Sequence, residues 1–184
     1  MKKITRKNFF FSLLLTFSSF NSYSADYVIS LSPLHLAFPI VEGAIEVPVG
    51  ENMSVSGIFG YGSISVTDAF NRDVTFPVWE AGTQLRYYPN GSQERGLQIG
   101  IEAMYVNVDL DDEFPTVTVD TNGYSIGPFI GYKWNFDSNA VIDLQFGFAR
   151  YFAQVKAKDS FGNEIESSAN QNGPLLNINA GYAF

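Results

Sequence analysis

The chain has 184 residues, of which 46% are hydrophobic, 16% aromatic and 16% charged, and its mean hydropathy is zero. That length holds one domain, and the composition is too apolar for disorder and poorer in charge than an ordinary soluble domain. The lack of cysteine excludes a disulfide scaffold, a thiolate zinc site, a thiol nucleophile and a lipidated N-terminal cysteine, and the single histidine argues against a His-rich metal site or a catalytic dyad.

Lys2, Lys3, Arg6 and Lys7 form a basic start, followed by an apolar stretch from Phe9 to Phe20. Ser22 and Ser24 then sit at the −3 and −1 positions of a small-x-small cleavage site, with cleavage after Ala25 as the alternative. About a dozen apolar residues are too few to span a bilayer as a helix, so residues 1–24 are expected to be a cleaved export signal. The remaining chain, 25–184, keeps seven basic residues against nineteen acidic ones, a net charge of −12. That acidity argues against nucleic acid or anionic lipid as a partner.

From about residue 40 the chain alternates bulky apolar with polar or small residues at period two, the signature of strands. Val41, Ile45, Val47 and Val49 oppose Glu42, Ala44 and Glu46; Val55, Phe59 and Tyr61 oppose Ser54, Ser56, Gly60 and Gly62. Trp79, Ala81, Leu85 and Tyr87 oppose Glu80, Gly82, Gln84 and Arg86; Leu97, Ile99, Ile101, Ala103 and Tyr105 oppose Gln98, Gly100, Glu102 and Met104. Tyr124, Ile126, Ile130, Tyr132, Trp134 and Phe136 oppose Gly123, Ser125, Gly127, Gly131, Lys133 and Asn135. Ile142, Leu144, Phe146 and Phe148 oppose Asp143, Gln145, Gly147 and Ala149. Nothing of comparable length has helical spacing, so the exported chain is expected to be all-β.

The two faces decide the class. The second face is rich in Gly, Ala and Ser and lacks the Lys, Glu and Thr cover of a solvated sheet. Small, sparsely charged residues suit the lumen of a narrow barrel, and bulky ones with Tyr and Trp near the block ends suit a lipid-facing band with aromatic girdles. A soluble lipocalin-like binder would need the bulky face turned inward. The connectors are expected to alternate. Gly50 to Asn52, Pro89 to Arg95 and Asp137 to Asn139 read as short turns, whereas Thr67 to Thr75, Asp109 to Asn122 and Lys156 to Gly173 read as longer loops.

The last block places Leu176, Ile178, Ala180, Tyr182 and Phe184 on one face. Here the chain resembles bacterial outer-membrane β-barrel proteins, whose final strand typically ends in Phe after alternating apolar residues. The resemblance implies that Tyr182 and Phe184 serve as the signal read by the barrel-assembly machinery. It is similar in build to the membrane domain of OmpA and to OmpW-like small barrels, and its motifs do not single out a subfamily. The expected fold is an eight-stranded antiparallel up-and-down transmembrane β-barrel, porin-like and monomeric, in the outer membrane against lipid and lipopolysaccharide. An even strand number requires a first strand from Tyr27 to Leu36, where the apolar phase slips at Pro33 and predicts a bulge or a strand edge.

Within the expected lumen fall Glu42, Glu46, Glu80, Glu102 and Asp143, against Arg86 and Lys133. Charges in a low-dielectric lumen must pair or be neutralised, so these residues read as a plug of ion pairs and hydrogen bonds. The excess of acids keeps a narrow, cation-preferring path as the alternative. Arg150, between Phe148 and Phe152 on the apolar face, is placed near the outer boundary, where it would bind a lipopolysaccharide phosphate; a local bulge turning it inward is the other reading. The segment containing Asp109, Asp111, Asp112, Glu113 and Asp120 reads as a solvated, self-repelling outer loop, without the spacing of an EF-hand; a contact site for a surface partner at Phe114 and Val117 is the alternative reading. Small barrels of this kind that act on lipid A would need a serine activated by histidine. The only histidine, His35 beside Ser32 and Pro33, reads as structural. No catalytic residue, metal site or cofactor is expected, and with Phe184 ending the last strand no peptidoglycan-binding domain is either.

Overall fold

The computed structural model describes residues 27–35, 39–67, 71, 73–90, 95–109, 117–159 and 164–184; the export signal read at residues 1–24 lies outside them. Eight strands follow in chain order: β1 (Val28–Leu31), β2 (Ile40–Pro48), β3 (Met53–Thr67), β4 (Asp73–Tyr87), β5 (Gly96–Asp109), β6 (Val117–Asn135), β7 (Ala140–Asp159) and β8 (Glu164–Ala183). Each pairs antiparallel with its sequence neighbour, and β1 pairs with β8, so the meander closes on itself as a barrel. Closure leaves no open sheet edge, which is the condition for a sheet surrounded by hydrocarbon.

Tyr27 and Phe184 meet at one end of the barrel, with their rings stacked at a centroid distance of 5.1 Å and the Phe184 amide donating to the Tyr27 carbonyl over 3.0 Å. The strand bounds leave 4, 8 and 4 residues between the strands joined at this terminal end (β2–β3, β4–β5, β6–β7) and 5, 7 and 4 between those joined at the far end (β3–β4, β5–β6, β7–β8). The expected alternation of short and long connectors is therefore corrected. Most of the polar residues read as long loops continue the strands instead: Asp120 pairs with Lys156 and Lys156 with Glu166. Polar residues keep their backbone groups satisfied in a ladder just as well as apolar ones do, so polarity ended the expected strands too early. β6, β7 and β8 have 19, 20 and 20 residues, roughly twice the ~9–11 needed to cross a bilayer, and their far halves form polar hairpins.

β1 is shorter than the ten residues expected. It ends at Leu31 because Pro33, lacking an N–H, cannot extend the ladder, and the chain turns there to carry His35 over the lumen.

Side chains alternate as the period-two pattern requires, but inside out relative to a soluble barrel. Tyr61, Phe59 and Phe148 are about 60% exposed on the outer surface, with Ile45, Leu85, Ile99, Ile101, Ile130, Leu144 and Leu176 beside them. Lys133 is 1% exposed and Gln98 not at all, facing inward. Aromatic pairs flank the aliphatic band: Tyr182 on Phe184 and Tyr132 on Trp134 at the terminal end, Trp79 on Tyr105 and Tyr124 on Phe152 toward the far end. On β4, Trp79 and Tyr87 stand eight residues apart. At ~3.3 Å per residue that is roughly 26 Å along the strand, or ~20 Å of height at a tilt of ~40°, which fits within the ~25 Å apolar band of such barrels.

Candidate functional site

Inside the terminal half, the inward positions of β2, β4, β6 and β7 converge on one charge network. Arg86 Nη1 donates to Glu46 Oε2 over 2.7 Å and to Asp143 Oδ2 over 2.9 Å. Lys133 Nζ donates to Glu46 Oε1 over 2.6 Å, as do Ser54 Oγ over 2.7 Å and the Tyr88 hydroxyl over 2.6 Å. Two acids thus meet two bases, and Lys133 also lies 4.9 Å from the centre of the Tyr88 ring. Neutral amides complete the set. Gln98 and Gln145 both donate to Asp143, and Gln84 accepts from Arg86 Nε over 2.8 Å. All of these groups are buried, so each charge is matched where an unmatched one would be costly. Toward the terminal end Val28, Val141 and Ala183 form a buried apolar cluster.

The far half of the lumen is built differently. Glu42, Glu80 and Glu102 all face inward and are 5–7% exposed. Glu102 Oε2 accepts from the amides of Gln84 over 2.6 Å and Asn177 over 2.7 Å. Among the described residues neither Glu42 nor Glu80 is ion-paired to arginine or lysine; His35 Nδ1 lies 3.3 Å from Glu42 Oε1. A cavity of about 460 Å³ opens beside these acids, lined among others by His35, Arg86, Met104, Ser125 and Tyr151. Phe129, Ala149 and Leu175 pack together on one wall of the lumen, with Tyr151 against them.

All seven lumen charges read from the sequence therefore point inward, but they divide into a balanced group (Glu46, Arg86, Lys133, Asp143) and an acidic one (Glu42, Glu80, Glu102). Arg150 lies on the outward face. The register is unchanged across Pro128, with Ile126 opposite Arg150 and Phe129 opposite Gly147, so there is no bulge to turn it inward. Its guanidinium sits 5.2 Å from the Phe152 ring and 3.3 Å from Asn170 Oδ1. Tyr182 and Phe184 are exposed on the outer surface at the terminal end. Asp109 and Asp120 are register partners in the β5–β6 ladder; Asp111, Asp112, Glu113 and Phe114 lie outside the described residues.

Ser32, His35 and Glu42 come together, as the sequence did not show. Ser32 Oγ lies 2.9 Å from His35 Nδ1. Both Ser32 and Glu42 thus meet the same ring nitrogen, whereas a hydrolytic triad sets serine and acid on opposite nitrogens. Ser32 is also 2% exposed inside the lumen, away from the lipid face. Tyr88 was the other omission. It lies just past β4, yet it continues the inward parity of Gln84 and Arg86, and extending that period by one step finds it.

Residues 9–173 match the model of the family described as "Protein of unknown function (DUF3575)". The chain belongs to this family. No curated protein matches it. Among solved structures, it is similar to a major outer membrane protein from Thermus thermophilus, at 14% identity and a TM-score of 0.53 over 88% of this chain and all of that one. It is likewise similar to the outer membrane protein AlkL, solved by solid-state NMR in DMPC lipid bilayers, at 12% identity and a TM-score of 0.60 over 90% of this chain and 93% of that one. At such identities the likeness establishes the fold, an outer-membrane-type β-barrel.

Proposed function

We propose that the protein is an exported, monomeric, non-enzymatic outer-membrane barrel, sealed on its periplasmic side and open to recognition from its outer half. The observation that carries this reading is the buried network of Glu46, Asp143, Arg86 and Lys133, which spans the lumen with matched charges and hydrogen bonds. A solute passing through would have to break pairs whose loss costs ~3–5 kcal/mol each. The inside-out distribution of side chains supports residence in a membrane, with the terminal end toward the periplasm and the polar hairpins of β6 to β8 outside. Tyr182 and Phe184 then face lipid where the assembly machinery would read them. Arg150, beside Asn170 near the base of the hairpins, suits a lipopolysaccharide phosphate. The shared nitrogen of Ser32 and Glu42 on His35 supports the non-enzymatic reading.

The test is planar-bilayer conductance of the refolded barrel, with insertion confirmed by protease protection on the same sample. Silence from an inserted barrel is the expected result. Steady, cation-selective openings that shrink in Glu102→Gln or Asp143→Asn would replace this reading with that of a narrow channel.

A further inference from the structure

We propose that His35, Glu42 and Glu80 form a binding site for a divalent first-row transition-metal ion in the far half of the lumen. One ligand atom from each of the three residues lies within 4.8 Å of the others. The imidazole comes from the turn after β1 and the carboxylates from β2 and β4, so three separate segments aim at one point. His35 Nδ1 and Glu42 Oε1 are 3.3 Å apart, and Ser32 Oγ, 2.9 Å from that nitrogen, gives up this contact when the ion binds. Ligands ~2.0–2.2 Å from a tetrahedral zinc stand about 3.3 Å from one another, so one edge of the polyhedron is already in place.

An independent observation points the same way. Glu80 is 5% exposed, and its Oε1 is buried with no hydrogen-bond partner among the described residues. A buried carboxylate oxygen in that condition lacks the compensation that proteins ordinarily supply, and two buried carboxyl groups this close cannot both ionise unless a cation joins them. A cation between them removes both penalties. The backbone makes room for this arrangement, because a Cβ at position 60 would collide with that same Oε1, and Gly60 has none. The terminal-half bases are not competitors for the site, being bound to Glu46 and Asp143.

The donor set selects the ion class. Two carboxylates with one imidazole offer too few oxygens for calcium, which takes six to eight, while an imidazole nitrogen suits zinc and its first-row neighbours. Three protein ligands leave a fourth position facing the 460 Å³ cavity, which suits an ion that exchanges with the far-end solution. The single histidine concealed this site in the sequence, since a His-rich cluster was the pattern sought there. The proposal does not depend on whether the barrel conducts.

The test is calorimetric titration of zinc into the folded, untagged barrel in detergent, with folding verified by the mobility of unboiled samples. One zinc per barrel is expected, undisplaced by excess calcium. His35→Ala and the size-matched Glu80→Gln should each weaken binding by at least the roughly 10–100-fold that follows loss of an outer-shell partner. Cobalt added to the wild type should show visible absorption that both variants lose. Absence of zinc binding by the folded barrel overturns the proposal. So does displacement by calcium, and so does binding that survives both substitutions, which would place the ion on the acidic exterior.

Discussion

The two halves of the lumen use the same residue types to opposite ends. In the terminal half, Glu46 and Asp143 are matched by Arg86 and Lys133, and the carboxylates hold four strands together. In the far half, Glu42, Glu80 and Glu102 face a cavity lined by His35 and by Arg86, whose guanidinium is bound to Glu46 and Asp143, and the carboxylates meet neutral amides or an imidazole in place of a lysine or arginine. A buried acid is a fastener when a permanent cation reaches it and a binding group when none does. Burial by itself does not distinguish the two, since Glu46 and Glu80 are 6% and 5% exposed.

Neutralising one acid on each side is the sharpest way to break the contrast. Glu46→Gln leaves Arg86 and Lys133 buried beside a neutral amide, and should cost ~3–5 kcal/mol in urea unfolding of the lipid-embedded barrel. An unchanged midpoint would mean that water, not Glu46, solvates these bases. Tyr88→Phe keeps the ring under Lys133 and removes only the hydroxyl that donates to Glu46, a hydrogen bond to a charged group worth ~1.5–3 kcal/mol by the same measurement. Glu80→Gln should leave stability nearly unchanged. In the presence of a chelator it replaces one of two adjacent buried carboxyl groups, which cannot both be charged, by a neutral amide, and a change within about 1 kcal/mol is expected. A loss as large as that of Glu46→Gln would show that both halves are fasteners and that the contrast is false.

Much of this was legible in the sequence because a strand obeys a period of two regardless of what it packs against. Parity placed Glu42, Glu46, Glu80, Arg86, Glu102, Lys133 and Asp143 inside and Arg150 outside. It also put Gln84, Gln98 and Gln145 on the inner face, though without a role. What parity cannot contain is which inward residues meet. Arg86 reaches Glu46 and Asp143 from 40 and 57 positions away, distances set by how far each strand slides past the next. The extent of the strands was misjudged for a related reason. A polar segment such as Glu166 to Asn172 reads as loop until a partner strand supplies its backbone hydrogen bonds.

The sequence by itself determined the alternation, the inverted faces and the aromatic ends, because these depend only on local geometry and on the solvent each face meets. Only the tertiary structure decided that the lumen is split into a balanced network and an acidic chamber. That division arises from the stagger of the closed barrel. Closure brings Arg86 and Lys133 to the level of Glu46 and Asp143, and leaves Glu42 and Glu80 at a level where Glu42 meets a histidine carried in by the turn at Pro33.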